Sequence, residues 1–338
     1  MKKIVVIGGG TGTFTVLSGL REYPFELSAI VSTADDGGST GILRDELGVL
    51  PPGDIRQALV ALSDDSSLLR ELFNYRFSEG SLKGLNFGNL FLSALEKVTG
   101  SFDRAILEAG RILATHGHVI PVTTDQMHLR AETVDGHEVH GEEAIDQHIW
   151  AEQATIQRIW VDPPCSLHPL AAQAIRQADL VVIAPGSIFT SLIPNLLVEG
   201  MQEALHKTKA QLLYVVNLMT ERGQTGSFHV QDFAELIEHY LAKRTLDYVL
   251  YNTKMPDTDL LERYKKEMER TPVRLDTKRR MTHYKLIGTN LLNKKPVGMR
   301  QAHDPLAHSR TLIRHNPAKL ADVLYAVIMM KEAQKYLQ

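Results

Sequence analysis

The chain has 338 residues, of which 43% are apolar and 23% charged, with a net charge of −3 and one cysteine. This composition suits a globular α/β protein with a sizeable core. It excludes an electrostatic case for general nucleic-acid or membrane-surface binding, an internal disulfide, and a membrane-spanning segment. The apolar run after Met1-Lys2-Lys3 lasts only four residues, too short for a secretory leader, so the expected compartment is a reducing cytoplasm.

In chain order, residues 3–7 form a short continuous apolar run, the pattern of a strand buried on both faces. It breaks into Gly8-Gly9-Gly10-Thr11-Gly12-Thr13, and a helix is expected over 13–21. A strand over 27–32 follows, so the chain opens as a right-handed βαβ unit of a parallel sheet. Asp35-Asp36 and a flexible Gly/Ser/Thr loop come next, followed by Pro52-Gly53-Asp54-Ile55-Arg56, where Asp54 is a candidate cap for a helix over 55–62. Helices are expected over 67–77, 90–98 and 102–114, which makes 54–114 a helical block. A strand covers 118–122. Alternating residues on either side of Asp135-Gly136 predict an antiparallel hairpin within 122–161, closed by a strand over 156–161.

The α/β rhythm then returns. Helices are expected over 169–177, 194–206, 230–243 and 260–268, and strands over 180–184, 211–217 and 248–251. Residues 285–292 are ambiguous, and an amphipathic helix over 318–335 closes the chain. The economical architecture is one elaborated, doubly wound α/β domain over 1–338, with a mostly parallel Rossmann-like sheet, the helical block and the small antiparallel extension.

The candidate site residues gather where such a sheet ends its strands. A strand, glycine turn and helix N-terminus make an anion site suited to nucleotide phosphates. Gly8-x-Gly10 opens the dinucleotide fingerprint, but Thr13 stands at the third glycine position and no Walker lysine follows. Asp35 and Asp36 suit a ribose hydroxyl or a hydrated Mg²⁺. Asp54 either caps its helix or joins the site, and Arg56 pairs with a phosphate or with Asp36. Asn86 and Asn89 either line the pocket or cap a helix. Gly186, Ser187 and Thr190 follow a buried strand as a second candidate anion site, and Asn217 ends the next strand. His116 and His118 have no companion ligands at metal spacing. No nucleophile elbow or Cys–His pair is present, so covalent catalysis has no candidate.

These segments, Gly8–Thr13, Thr33–Gly41, Pro52–Arg56, Asn86-Phe-Gly-Asn89, Pro185-Gly-Ser187 and Arg314-His315, resemble the bacterial gluconeogenesis factor family. That family is related to the 2-phospho-L-lactate transferases of coenzyme F420 synthesis, and the likeness covers roughly residues 2–330. The resemblance implies a modified Rossmann-like fold, a UDP-sugar or other nucleotide diphosphate ligand (NAD being another dinucleotide of that class), and a role in cell shape and wall synthesis on gluconeogenic carbon sources. It also implies an alternative, the Mg²⁺-dependent transfer of a phospholactyl group from a guanosine diphosphate carrier to a deazaflavin, for which Asp35, Asp36 and Arg56 are the catalytic candidates. Carried over, Asp35 and Asp36 are metal or ribose acids, Asn86 and Asn89 line the pocket, and Arg314 matches an arginine of UDP-sugar binding. The small segment after the acids departs from the transferases, which favours binding over transfer. A homodimer and a regulatory protein partner in wall synthesis complete the expected associations.

Overall fold

The structure, a computed structural model, describes residues 1–64, 67–152, 155–268, 270–279, 283–293 and 313–336. The chain runs β1 (Lys2–Gly8), α1 (Gly10–Leu20), β2 (Phe25–Val31), α2 (Gly38–Leu47), α3 (Gly53–Leu62), α4 (Ser67–Asn74), α5 (Phe87–Thr99), α6 (Phe102–Ile112) and β3 (His118–Pro121). The antiparallel extension is β4 (His128–Thr133), β5 (Glu138–His140), α7 (Glu142–Glu152) and β6 (Ile156–Asp162). Then follow α8 (Pro169–Gln177), β7 (Leu180–Ile183), a π-helical turn at Ile188–Leu192, α9 (Ile193–Leu197) and α10 (Met201–Lys207). The last part comprises β8 (Gln211–Val215), α11 (Val230–Leu241), β9 (Tyr248–Asn252), α12 (Thr258–Met268), β10 (Lys285–Thr289) and α13 (Pro317–Tyr336).

Seven strands form one sheet in the order β10-β9-β8-β7-β1-β2-β3, and every neighbouring pair is parallel. The order reverses between β1 and β7, so the crevice outside their carboxyl ends is the topological switch point, where doubly wound sheets bind ligands. Alternation along the central strands explains the continuous apolar runs. Val5 and Ile7 enter one core with Val181 and Ile183, while Ile4 and Val6 enter the opposite core with Leu180 and Val182. Each such side chain, fully removed from water, contributes about 1.5–3 kcal/mol.

The extension is a separate three-stranded antiparallel sheet, β5-β4-β6. Its inward residues Leu129, Ala131, Ile145 and Ile159 join the same apolar cluster as Val5 and Ile183, so it packs on one face of the main sheet. Among the described residues no helix is long and apolar enough to cross a membrane.

Four expectations are corrected. The first helix starts at Gly10, three residues early, because Gly9 is extended and Gly10 takes φ +62, a left-handed start that favours glycine. The Gly/Ser/Thr stretch after the acids is the first turn of α2, not a flexible loop: Asn89 Nδ2 donates to Ser39 Oγ at 3.0 Å and holds it. The single helix over 194–206 is broken into α9 and α10. Between them Glu199 bridges Ser166 and Gly200 takes φ +92. Finally, α7 occupies a stretch for which no helix is anticipated.

Candidate functional site

The switch point is built from two loops in near contact. Gly12 has no room for a side chain, since a Cβ there would lie 1.6 Å from the Pro185 carbonyl oxygen. The first turn of α1 is thereby pressed against the loop that follows β7. Asn217 pins that loop in turn, its Oδ1 accepting from Gly186 N at 3.0 Å and its Nδ2 donating to Gly186 O at 2.7 Å. Thr13 is buried and its hydroxyl bonds back to Gly9 O at 3.1 Å, whereas Thr11 stays exposed at the helix start. Of the two threonines, only Thr11 faces solvent beside the glycine turn.

Asp54 does not cap its own helix. The cap position is Pro52, without a side-chain hydrogen bond, and the Asp54 carboxylate instead accepts the Gly10 N–H. A Cβ on Gly9 would meet Asp54 Oδ2 at 2.3 Å, so glycine there makes room for the carboxylate. A negative side chain thus lies on the amide end of α1, where a phosphate would otherwise be drawn by the helix dipole. Asp35 is its neighbour: Oδ1 accepts from Gly37 N at 3.0 Å, and Oδ2 lies 2.3 Å from where a Gly53 Cβ would stand.

Asp36 points elsewhere. Its two oxygens accept from Glu142 N (3.1 Å) and Glu143 N (2.9 Å), so it caps α7 across more than a hundred residues. The acid pair at the switch point is therefore Asp35 with Asp54, not Asp35 with Asp36. The cap brings the start of α7 into the crevice, and with it Glu142 and Asp146, one turn apart. Asp146 Oδ1 accepts from Gln224 Nε2 at 2.9 Å and Oδ2 from Thr190 Oγ1 at 3.5 Å. Ser187 Oγ donates to Glu221 Oε2 at 3.1 Å. The proposed second anion site around Gly186, Ser187 and Thr190 thus faces acids.

These carboxylates perturb one another. Burial, then the charge of Asp35, raises Asp54 to about 7. Burial raises Asp35 as well, against the Gly37 N–H and with Asp36 adding to the rise. Burial, followed by Asp35 and Asp54, holds Glu142 well above the ordinary glutamate range. Asp146 rises to about 6 through burial and Glu221, and Glu221 rises through burial, opposed by Arg270. Asp35, Asp54, Glu142 and Glu221 nevertheless keep partial solvent contact and Asp146 is exposed, as befits groups deep in an open crevice. Such a set of mutually perturbed acids at a sheet's switch point is the physical mark of a functional site.

Arg56 and the two asparagines lie behind this surface. Arg56 is buried, its Nε donating to Asn89 Oδ1 at 2.9 Å and one terminal nitrogen to Asn74 Oδ1 at 3.0 Å. Its charge is felt at Asp35 and Asp54. Its proposed partner Asp36 is engaged on α7. Asn86 caps α5 through Asn89 N and donates to Tyr75 O, so both asparagines brace α2, α3 and α5 against each other. Arg314 lines a separate cavity of about 610 Å³ beyond β9 and β10, together with Lys254 and Arg263. Another cavity, of about 630 Å³, runs along the outer edge of β3 and contains none of the crevice carboxylates.

Residues 4–292 match the family model described as 2-phospho-L-lactate transferase CofD. The chain belongs to this family. A Bacillus subtilis protein named gluconeogenesis factor is 36% identical, over 98% of both chains. A Thermotoga maritima protein, provisionally given the same name, is 42% identical over 95% of this chain and 98% of its own. Protein BH3568 of Bacillus halodurans, described as a member of the UPF0052 family, has a crystal structure that superposes with a TM-score of 0.86 at 34% identity, covering 96% of this chain and 99% of that one. Homologues named gluconeogenesis factor therefore share the fold over nearly the whole length.

Sequence reading missed Glu142, Asp146 and Glu221, and left the role of Asp54 open. A usable signal was present in part: Glu142 and Asp146 stand four apart, so they share a helix face once α7 is recognised.

Proposed function

We propose that this gluconeogenesis factor homologue binds a nucleotide diphosphate sugar at the switch point, and that a divalent cation mediates the contact. The observation that carries this reading is the Asp54 carboxylate seated on the Gly10 amide beside Asp35. A bare diphosphate brought to this acidic crevice meets repulsion, whereas a hard cation between acids and phosphates reverses its sign. Among the described residues no three carboxylate, histidine or cysteine side chains form a ready-made metal cage. Two all-oxygen ligands are what Mg²⁺ commonly takes from a protein, with water and phosphate completing its shell, so the donor set fits. The cation would supply charge neutralisation at Asp35 and Asp54. The amide end of α1 would orient the diphosphate, with Thr11 beside it.

In this reading the ligand is a UDP-sugar, and the chain acts as a nucleotide-sugar-responsive factor in cell shape and wall synthesis on gluconeogenic carbon, possibly excluded only by its ligand preference. The family model favours a second reading, Mg²⁺-dependent transfer of a phosphorylated group from a nucleotide diphosphate carrier. Its support within the fold is that Asp54 and Asp146 titrate near neutrality and can exchange protons there. Calorimetric titration with UDP-N-acetylglucosamine, GDP and NAD, each with and without Mg²⁺, separates the readings. Saturable UDP-sugar binding without turnover supports the first. Preferential guanosine diphosphate binding with group transfer contradicts it.

A further inference from the structure

A cluster of cations lies on the far side of the acidic crevice. The loop at 226–229, one face of α12 and the segment 270–274 enclose a cavity of about 630 Å³. Lys265, Arg270 and Arg274 line it, over apolar surface from Phe228, Leu261 and Pro272. None of the three cations makes an ion pair within 4 Å among the described residues. Neighbouring arginines behave differently: Arg279 lies 2.8 Å from Asp232 and Arg130 lies 2.6 Å from Asp162. The Nε of Arg270 is inaccessible to solvent and has no hydrogen-bond partner among the described residues. Glu262 is the one acid on the wall, and His229, also on it, is tied to Asp232. In a chain of net charge −3, three cations brought together without partners repel one another, and an anion between them removes that cost.

We propose that this cavity is a second ligand site, for a small phosphomonoester that carries an apolar or ring group. The phosphate sits among Lys265, Arg270 and Arg274, where arginine forks match phosphate oxygens, and the ring lies on Phe228 and Pro272. The site is lined by none of the switch-point residues, yet it touches that crevice through one side chain. Arg270 is the cation that opposes the upward shifts of Asp146 and Glu221. An anion held by Arg270 weakens that opposition, so the second ligand and the switch-point acids are linked, and the linkage is reciprocal.

The test uses the full chain and two defined probes, inorganic phosphate and phenyl phosphate, titrated by calorimetry at fixed ionic strength. Phenyl phosphate is expected to bind saturably at one site, about fivefold tighter than inorganic phosphate because of the apolar floor. Lys265→Glu and Arg274→Glu, both at exposed positions that the fold tolerates, are expected to weaken it by about tenfold each. Asp35→Asn, in the crevice, leaves it within about twofold. Unsaturable binding, or charge reversals without effect, overturns the proposal. So does loss of phenyl phosphate binding in Asp35→Asn alone, which places the phosphate at the switch point and leaves the nucleotide reading intact. Failure of UDP-sugar binding with phenyl phosphate behaving as stated rejects the nucleotide reading and keeps this one.

Discussion

Replacing Asp54 by Asn removes the charge at the amide end of α1 while keeping an oxygen to accept the Gly10 N–H. In the folded chain this acid titrates at about 7 instead of the ordinary 3.8. At about 1.4 kcal/mol per pH unit the ceiling on the cost of its ionised form is about 4 kcal/mol. Its titration is shared with Asp35 and the crevice keeps some water, so about 2 kcal/mol is the working magnitude. The sign follows from linkage: with the folded value raised, the native chain holds the proton more tightly, and that stability is present below pH 4 and lost as pH rises through 7. Asp54→Asn should therefore match the parent near pH 4 and exceed it above pH 7, by about 2–4 °C in Tm for a chain of this size. Mg²⁺ should raise the Tm of the parent at pH 8 and leave the variant unmoved, because a cation that binds only the folded state stabilises it by mass action. Thermal unfolding across pH 4–8, with and without Mg²⁺, reads all of this. A variant less stable than the parent at pH 8, or a difference independent of pH, refutes the reasoning.

Arg56→Ala removes a buried guanidinium from Asn89, Asn74 and the Phe73 carbonyl and should cost about 3 kcal/mol in urea unfolding, with Asn89→Ala less than additive to it because they share a bond. Gly12→Ala drives a Cβ into the Pro185 carbonyl, so it should lower stability by more than about 2 kcal/mol and abolish nucleotide binding, both measurable on one preparation by unfolding and calorimetry. His315 is buried and held down to about 4 by desolvation, so the stability it confers is present above 6.5 and lost as pH falls toward 4. His315→Asn should flatten that acid limb by up to about 3 kcal/mol, read from urea midpoints at pH 4 and pH 7.

The sheet was legible in the sequence because its strands are apolar on both faces and end in turn residues: the runs 3–7 and 180–184 needed no tertiary information. The hairpin followed from Asp135-Gly136 between alternating residues. The acids were harder. Asp54 in the first turn of a helix reads as a local cap, and only the approach of Gly9 and Gly10 from another segment reveals that it serves α1. Asp36 beside Asp35 reads as a pair because they are adjacent, but successive residues in an extended segment point apart, and Asp36 finds the start of α7 instead. Helix α7 escaped notice because its span mixes Glu, Asp, Gln and His with few apolar residues, so no stripe of period 3.6 stands out. Asn86, Asn89 and Arg56 were legible as a polar group near the site. Their function as braces depends on which helices meet, and that is tertiary information.

The most direct test of the central claim is anomalous diffraction from crystals grown with UDP-N-acetylglucosamine and Mn²⁺, the latter standing in for Mg²⁺. The account predicts an anomalous peak about 2.1–2.3 Å from carboxylate oxygens of Asp35 and Asp54, with the diphosphate against the Gly9–Gly10 turn. A diphosphate bound elsewhere, or bound at that turn with no metal between it and the two acids, contradicts it.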